Sequence, residues 1–531
     1  MKRLLALALA TLMALSLVAC GGGGATSTPS TPSTPSTPGT STPTTPAAPA
    51  VEWKKEVIFT GGGSAFDTPD PQGSSANVNT RYYFLTHDRL VELDTDTGVI
   101  TPGLAESWEI SADGLTYTFH LRKDVTFHNG EKFTADDVVF SQERGLQSKN
   151  SNVKSQYGLS ATYEAPDEYT IVAKLSAPNA DFLMTRGFAY MAIVNREACT
   201  ADPEKGCLIG TGLWILKEFE AADHAVWDRN DNYWGESTPT ERLRFRHVPE
   251  TAARLIAAET GEVDIACNIS AKSQADVNDN PKLDLKKLSN TSPNYITFNP
   301  EAASYLADPD FRRAVAYAID YETLMLGWHD GNSTRATSFW GANMFGLSNP
   351  ENAYTYNVEK AKEYLAKTSY KGEEIVCIGI SGWDSGALVI SDMLAKVGIK
   401  LTAKQVTSTD LTAIQNDGSW QALCYTYSYN PNGGDISRWI KSANGKRLMK
   451  TEYAPNVEKI IQLADDALNC TDDAKRKEMY AEIQALMLED AIMIPLDYGA
   501  HFHAAAKGTE GVVWAKSNEF DFRYVRVPVS K

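Results

Sequence analysis

Along most of the chain, short runs with a two-residue hydrophobic period alternate with longer stretches of helical period. Leu115, Tyr117, Phe119 and Leu121 share one face of a predicted strand, with Thr116, Thr118 and His120 on the other, and the Asn129-Gly130 pair supplies a turn soon after. Thr134 followed by Asp137, ahead of Val138, Val139 and Phe140, is an acidic capping box that starts a helix. Helices are predicted at Phe311 to Gly327, Val358 to Lys367, Ala387 to Val397 and Ala474 to Glu489, and strands at Glu374 to Ile380, Lys400 to Val406 and Ala422 to Thr426. A strand that follows a helix ending at Gly398 reads as a β-α-β unit, so this half of the chain is expected to be an α/β lobe with a mainly parallel sheet. Ligands in such folds lie at the carboxyl ends of strands.

The first fifty residues break the pattern. Lys2 and Arg3 precede an apolar run from Leu4 to Ala19, about sixteen residues long, which suits a secretory signal better than a membrane span. It ends Leu17-Val18-Ala19-Cys20 and resembles the bacterial lipobox, in which the Cys becomes a diacylated N-terminus. Two acyl chains anchor a protein stably. Between Gly21 and Val51 there is no charged residue, and Pro29, Pro32, Pro35 and Pro38 recur among Ser and Thr. Such a segment extends as polyproline II by about 3 Å per residue and reads as a stalk.

Composition narrows the function classes. The chain has 531 residues, 67 acidic and 50 basic, and 43% hydrophobic content, as in ordinary water-soluble globular proteins. Its net charge of −17 becomes −19 once residues 1 to 19, with Lys2 and Arg3, are removed. That charge opposes binding to nucleic acid or anionic lipid. Of the seven cysteines, Cys20 is the lipid site. Cys199 and Cys207 enclose a short polar loop, for which a disulfide and two free thiols are both compatible readings, and the other four are expected to be buried thiols.

The common catalytic signatures are absent: no G-x-S-x-G, H-E-x-x-H, G-x-x-x-x-G-K-[ST] or C-x-x-C occurs. Gly61-Gly62-Gly63-Ser64, after a predicted strand from Val57 to Thr60, lacks the Lys of a phosphate loop and reads as a turn lining a cleft. His501 and His503 fall on one face of a strand but lack a third ligand at recognisable spacing, so no metal site is assigned.

A long ordered series of motifs remains. It begins with Leu104-Ala105-Glu106-Ser107-Trp108, Asp113 to Arg122, Phe127-His128-Asn129-Gly130 and Phe133 to Val138. Gly210-Thr211-Gly212, Asn230-Asp231-Asn232-Tyr233-Trp234 and Gly261-Glu262-Val263-Asp264-Ile265 follow, then Phe311 to Asp320 and Asp490 to Leu496. The series resembles the family 5 extracellular solute-binding proteins, the oligopeptide-, dipeptide- and nickel-binding components of ABC importers, from about Val57 to Val529. The resemblance implies a two-lobed α/β fold of the periplasmic-binding-protein type with a ligand cleft between the lobes. The expected segments are 1–19 signal peptide, 20–51 stalk, 52–299 first lobe, 300–489 second lobe and 490–531 return to the first lobe. It also implies a non-enzymatic monomer, needing no cofactor, that hands its ligand to a permease and an ATPase. The signature residues themselves, including Glu106, Asp136 and Asp137, read as core, capping or surface groups.

In peptide-binding relatives, an Asp shortly before the Pro of the segment Tyr425 to Pro431 pairs with the peptide ammonium. Counting back from Pro431, that position is Tyr427, so free peptides require another acid such as Asp435. Tyr427, Ser428, Tyr429 and Asn430 are the expected ligand contacts, together with Trp340, Trp383, Phe66 and Asp67; Tyr425 is expected to point into the core. Leu213, where relatives carry Pro, is a second departure. The leading expectation is capture of a peptide or peptide-sized solute; a nickel or metal-chelate carrier using His501 and His503, and an exported hydrolase without a recognisable motif, are the alternatives.

Overall fold

A computed structural model describes residues 51–62, 65–158, 161–380, 383–426, 434–516 and 520–529. Three sheets of four or more strands organise the body. The first has seven strands in the spatial order Leu283–Ser289, Ala500–Ala506, Ile265–Ala266, Glu56–Thr60, Arg242–Arg246, His224–Arg229 and Trp214–Glu220. Glu56–Thr60 lies parallel to both of its neighbours, and the remaining pairings are antiparallel. Its faces are covered by an aromatic cluster built on Phe59, Trp227 and Phe245 and by a smaller cluster around Leu255, Val277 and Phe502.

The chain leaves this sheet to build a four-stranded antiparallel one, ordered Ala105–Ile110, Thr116–Leu121, Thr170–Leu175 and Ala161–Asp167. Tyr117, Phe119 and Leu121 are buried on one face of its second strand, as the alternation predicts. The helix Ala135–Leu146 starts at the expected cap: the Thr134 N–H donates to Asp137 Oδ2 at 2.9 Å.

The third sheet is mixed. Its order is Thr334–Arg335, Ile494–Tyr498, Asn294–Phe298, Ala422–Thr426, Glu374–Ile380 and Lys400–Val406. Only the last three strands are parallel to one another, so the parallel half predicted from the β-α-β unit is joined to an antiparallel half. Two of its antiparallel strands, Asn294–Phe298 and Ile494–Tyr498, come from either side of the segment 300–489, and the third, Thr334–Arg335, from within it: the chain enters this sheet after 290–293 and leaves it at Gly499. Both flanking strands, Asn294–Phe298 and Ile494–Tyr498, are buried at every position, which suits central strands of this sheet. The predicted helix from Phe311 to Gly327 is two helices, Pro309–Ala318 and Tyr321–His329. Asp320 separates them, its carboxylate accepting the Thr323 N–H at 3.2 Å as a new N-cap.

Two chain crossings thus connect the first and third sheets, and the Asn290 N–H donates to the Gly499 carbonyl at 2.7 Å between them. No helix among the described residues is long and apolar enough to cross a membrane.

Candidate functional site

The strand Ala500–Ala506 leaves the crossing and enters the first sheet. Phe502 and Ala504 pack with Leu255, Val277 and Leu283 on one face, which leaves His501 and His503 on the other. His503 is 1% exposed. Its ring centroid lies 4.9 Å from that of Trp514 and 6.2 Å from that of Phe520, and the Arg81 guanidinium sits 4.4 Å from the centroid of the same Phe520 ring. Arg81 belongs to the helix Asn77–Thr86, whose Tyr82, Tyr83 and Leu85 pack into the aromatic cluster on the first sheet.

Asn268, just beyond the strand Ile265–Ala266, adopts a left-handed φ of 55°, which Asn tolerates better than most residues. Its carbonyl accepts Arg254 Nη2 at 2.7 Å, and its N–H donates to His503 Nδ1 at 3.2 Å. His503 Nε2, His501 Nε2 and Asn268 Oδ1 are buried and have no hydrogen-bond partner among the described residues. Burial, reinforced by His501 and Arg81, lowers the His503 pKa to about 3. Burial, with Arg81 and His329, lowers that of His501 to about 4. Both imidazoles are therefore neutral near pH 7.

Across the crossing, His329 Nε2 lies 3.1 Å from Asp497 Oδ2, and Asn294 Nδ2 donates to Asp497 Oδ1 at 2.9 Å. Tyr295 and Tyr425, on adjacent strands, bring their ring centroids within 4.7 Å, and Trp383 stands 6.2 Å from Tyr425. Tyr425 is buried, as expected. Away from the crossing the lobes touch again. Asp181 accepts Arg476 Nη2 at 2.7 Å and the Gly434 N–H at 2.6 Å, and the Ala180 N–H donates to the Leu468 carbonyl at 2.9 Å.

The residues expected at the cleft are distributed unevenly. Tyr427, Ser428, Tyr429 and Asn430 lie outside the described residues, as do Cys20, Gly63 and Ser64. Asp435 is the first residue of the helix Asp435–Lys441. Trp383 is half-buried at the start of the helix Trp383–Ala395. Phe66 is corrected to the core of the first lobe: Tyr82 and Phe219 approach it at 4.5 and 4.9 Å, and so apolar a ring gains most by full burial. Trp340 is likewise a core residue, completely buried, with Tyr480 at 5.3 Å and its Nε1 donating to the Phe345 carbonyl at 3.1 Å. Asp67 is exposed and accepts Asn79 Nδ2 at 2.6 Å, which ties its loop to the helix Asn77–Thr86. Cys199 and Cys207 are free, buried and packed in one small cluster, where the Cys207 thiol donates to the Glu204 carbonyl at 3.3 Å. Gly206 permits this approach, since a Cβ there would fall 1.9 Å from the Ala198 carbonyl oxygen.

Sequence reasoning missed Arg81, Asn268, Asp181 and Arg476. The sequence signal for Arg81 is a single cation beside the apolar run Tyr82-Tyr83-Phe84-Leu85. No group of three or more His, Cys, Asp or Glu among the described residues is arranged to hold a metal ion.

The signature motifs serve as internal supports. Thr211 Oγ1 and Trp234 Nε1 both donate to Asp88 Oδ2 at 2.9 Å, which brings two motifs onto one buried carboxylate. Burial pushes the Asp88 pKa up, with the neighbouring Glu92 adding to it. Leu213, the departure from Pro, is fully buried. Arg312 donates to the carbonyls of Asp490 and Ala491 at 2.9 Å and so joins the last two motifs.

The family described as bacterial extracellular solute-binding proteins, family 5 Middle, has a sequence model that matches residues 99–446. Heme-binding protein A of Haemophilus influenzae is 27% identical over 477 residues, covering 83% of this chain and 86% of that protein. The dipeptide-binding protein of Escherichia coli is 26% identical over 482 residues, covering 83% and 89%. Among solved structures, NikA from Brucella suis in complex with Fe(III)-EDTA superposes with a TM-score of 0.81 at 22% identity, covering 90% of this chain and 100% of that one. The dipeptide-binding protein from Pseudoalteromonas sp. SM9913 in complex with Met-Leu gives 0.78 at 19% identity, covering 88% and 99%.

Proposed function

Because the chain belongs to the family 5 bacterial extracellular solute-binding proteins, we propose that it is the non-enzymatic, monomeric solute-binding subunit of an ABC importer. It captures a peptide or peptide-sized solute between its lobes and delivers it to the permease and ATPase. The observation that carries this reading is the pairing of two connected sheets, joined at a hydrogen-bonded crossing, with a separate interlobe contact at Asp181. Contacts of that kind exist only when the lobes are closed, and a solute that adds its own contacts in that state shifts the equilibrium toward it.

The ligand contacts in this reading are Tyr427, Ser428, Tyr429 and Asn430, together with Asp435 and Trp383. Support comes from the flanks of the segment 427–430: the strand Ala422–Thr426 leads into it, and Gly434, just beyond it, is bonded to the opposite lobe. Replacing Tyr427 and Tyr429 by Ala is expected to weaken solute binding without unfolding the protein, and unchanged affinity would remove the segment from the site.

The protein acts outside the cytoplasm, held at the outer face of the plasma membrane by a lipid on Cys20 and carried on the stalk. Retention of a Cys20→Ser variant on membranes would contradict the anchor. A second reading, a metal-chelate carrier, draws support from the two buried, unpartnered Nε2 atoms of His501 and His503. Native mass spectrometry of protein purified without denaturation tests both. A releasable organic solute supports the first, a metal-containing mass supports the second, and absence of any solute-dependent compaction in scattering would refute both.

A further inference from the structure

The Asn268 N–H points at His503 Nδ1, so that nitrogen is an acceptor and carries no proton. In a neutral imidazole the proton then sits on Nε2, which makes Nε2 a donor. This donor is buried on a side chain that is 1% exposed and has no acceptor among the described residues. A buried donor without an acceptor is costly, and the arrangement is held from behind, since Arg254 fixes the Asn268 carbonyl and the left-handed backbone at Asn268 turns its amide toward the ring.

The surroundings give the missing acceptor its character. Arg81 stands over the face of Phe520 while His503 approaches the same ring at a steep angle, so a guanidinium and an imidazole N–H flank one aromatic platform. His501 adds a second buried Nε2 on the same strand face, and Trp514 closes the apolar side of His503. Lys286 is opposite His503 in the strand register, partly exposed, and its charge acts on Asp284, two residues away. The cluster therefore offers one guanidinium charge and neutral donors, which suits a monoanion with two oxygens better than a dianion. A metal ion at His503 Nε2 would require the proton to move to Nδ1 and so break the bond from Asn268.

We propose that Arg81, His503 and His501 form a subsite on the first lobe that holds a carboxylate of the captured solute. Arg81 supplies the charge, and His503, locked as the Nε2-protonated tautomer, supplies a directed hydrogen bond. The inference rests on the solute-binding reading and deepens it: the solute is a carboxylic acid, and the first lobe reads that group. It also turns the function of the His501/His503 pair away from metal ligation.

The test uses the full chain in detergent, a synthetic mixture of free dipeptides and the same mixture as C-terminal amides, with retained masses read by native mass spectrometry. The wild type is expected to retain acids over amides by at least about tenfold, and Arg81→Gln and His503→Gln to lose that preference. Nitrogen-15 spectra of the histidines are expected to show His503 protonated at Nε2, a measurement that needs no variant to fold. Equal retention of acids and amides by the wild type, or a His503 ring protonated at Nδ1, would overturn the subsite and leave solute binding standing. Nickel held at His503 would overturn it in favour of a metal. Retention of neither mixture, with no co-purified mass, would count against the subsite and the solute-binding reading together.

Discussion

Asp181 and Arg476 form an ion pair of 2.7 Å between the two lobes, each side chain 7% exposed. Their positions differ by 295 residues, and opening the lobes returns both charges to water. The pair therefore acts on closure more than on folding. In Asp181→Asn, the guanidinium keeps Asp473 of its own helix at 3.2 Å but loses the anion of the opposite lobe, in the closed state only, at a cost of about 2 kcal/mol, or about 30-fold in the closing equilibrium. Scattering with saturating solute is expected to show a larger open population, while the unfolding midpoint of the solute-free protein stays close to that of the wild type.

Buried neutral histidines make stability depend on pH. His87 and His503 are lowered to about 3, and His128 and His501 to about 4, from an ordinary value of 6.5, in each case chiefly by burial. Between pH 6.5 and pH 4 the unfolded chain binds more protons than the folded one, so this stability is complete above pH 6.5 and is lost as pH falls toward the folded values. Unfolding free energies from urea titrations are expected to drop over that window by more than about 3 kcal/mol in all. The dependence should be shallower in His503→Gln.

The carboxylate of Asp88 depends on donors from distant motifs. Removing one, by Thr211→Val or Trp234→Phe, leaves a buried acceptor short of a partner and is expected to cost about 1–3 kcal/mol in chemical denaturation. Solute affinity should stay unchanged, because the network supports the first lobe away from the crossing. A loss of affinity with normal stability would show that these motifs touch the ligand.

Cys199 and Cys207 already lie together in one buried cluster. In the oxidising surroundings of an exported protein, the thiols are expected to close into a disulfide, adding about 2–3 kcal/mol by constraining a short loop in the unfolded chain. A reductant should then lower the unfolding midpoint of the wild type and leave that of Cys199→Ser unaffected. Quantitative alkylation of both thiols in unreduced, denatured protein would disprove the bridge.

What was legible in the sequence was local. The strand Thr116–Leu121 and the cap at Thr134 follow from side-chain alternation and a three-residue spacing, and the three parallel strands of the third sheet match their predicted bounds. The break at Asp320 was also signalled, by an Asp three residues before Thr323, but the apolar period on either side masked it. Phe66 and Trp340 misled because an aromatic residue beside a glycine suits a cleft wall and a core equally well before its neighbours are known. Arg81, Asn268 and the Asp181–Arg476 pair acquire meaning only when distant segments meet, and no periodicity encodes that meeting.

The hydrogen bond from Asn290 to Gly499 sets the mechanics of capture. Two strands that cross side by side and are stitched together behave as a piano hinge: they bend jointly about one line and resist twisting against each other. Opening is then a swing with a single degree of freedom, and every contact across the mouth is gained or lost along the same arc. A membrane partner needs to sense only one angle to distinguish a loaded carrier from an empty one.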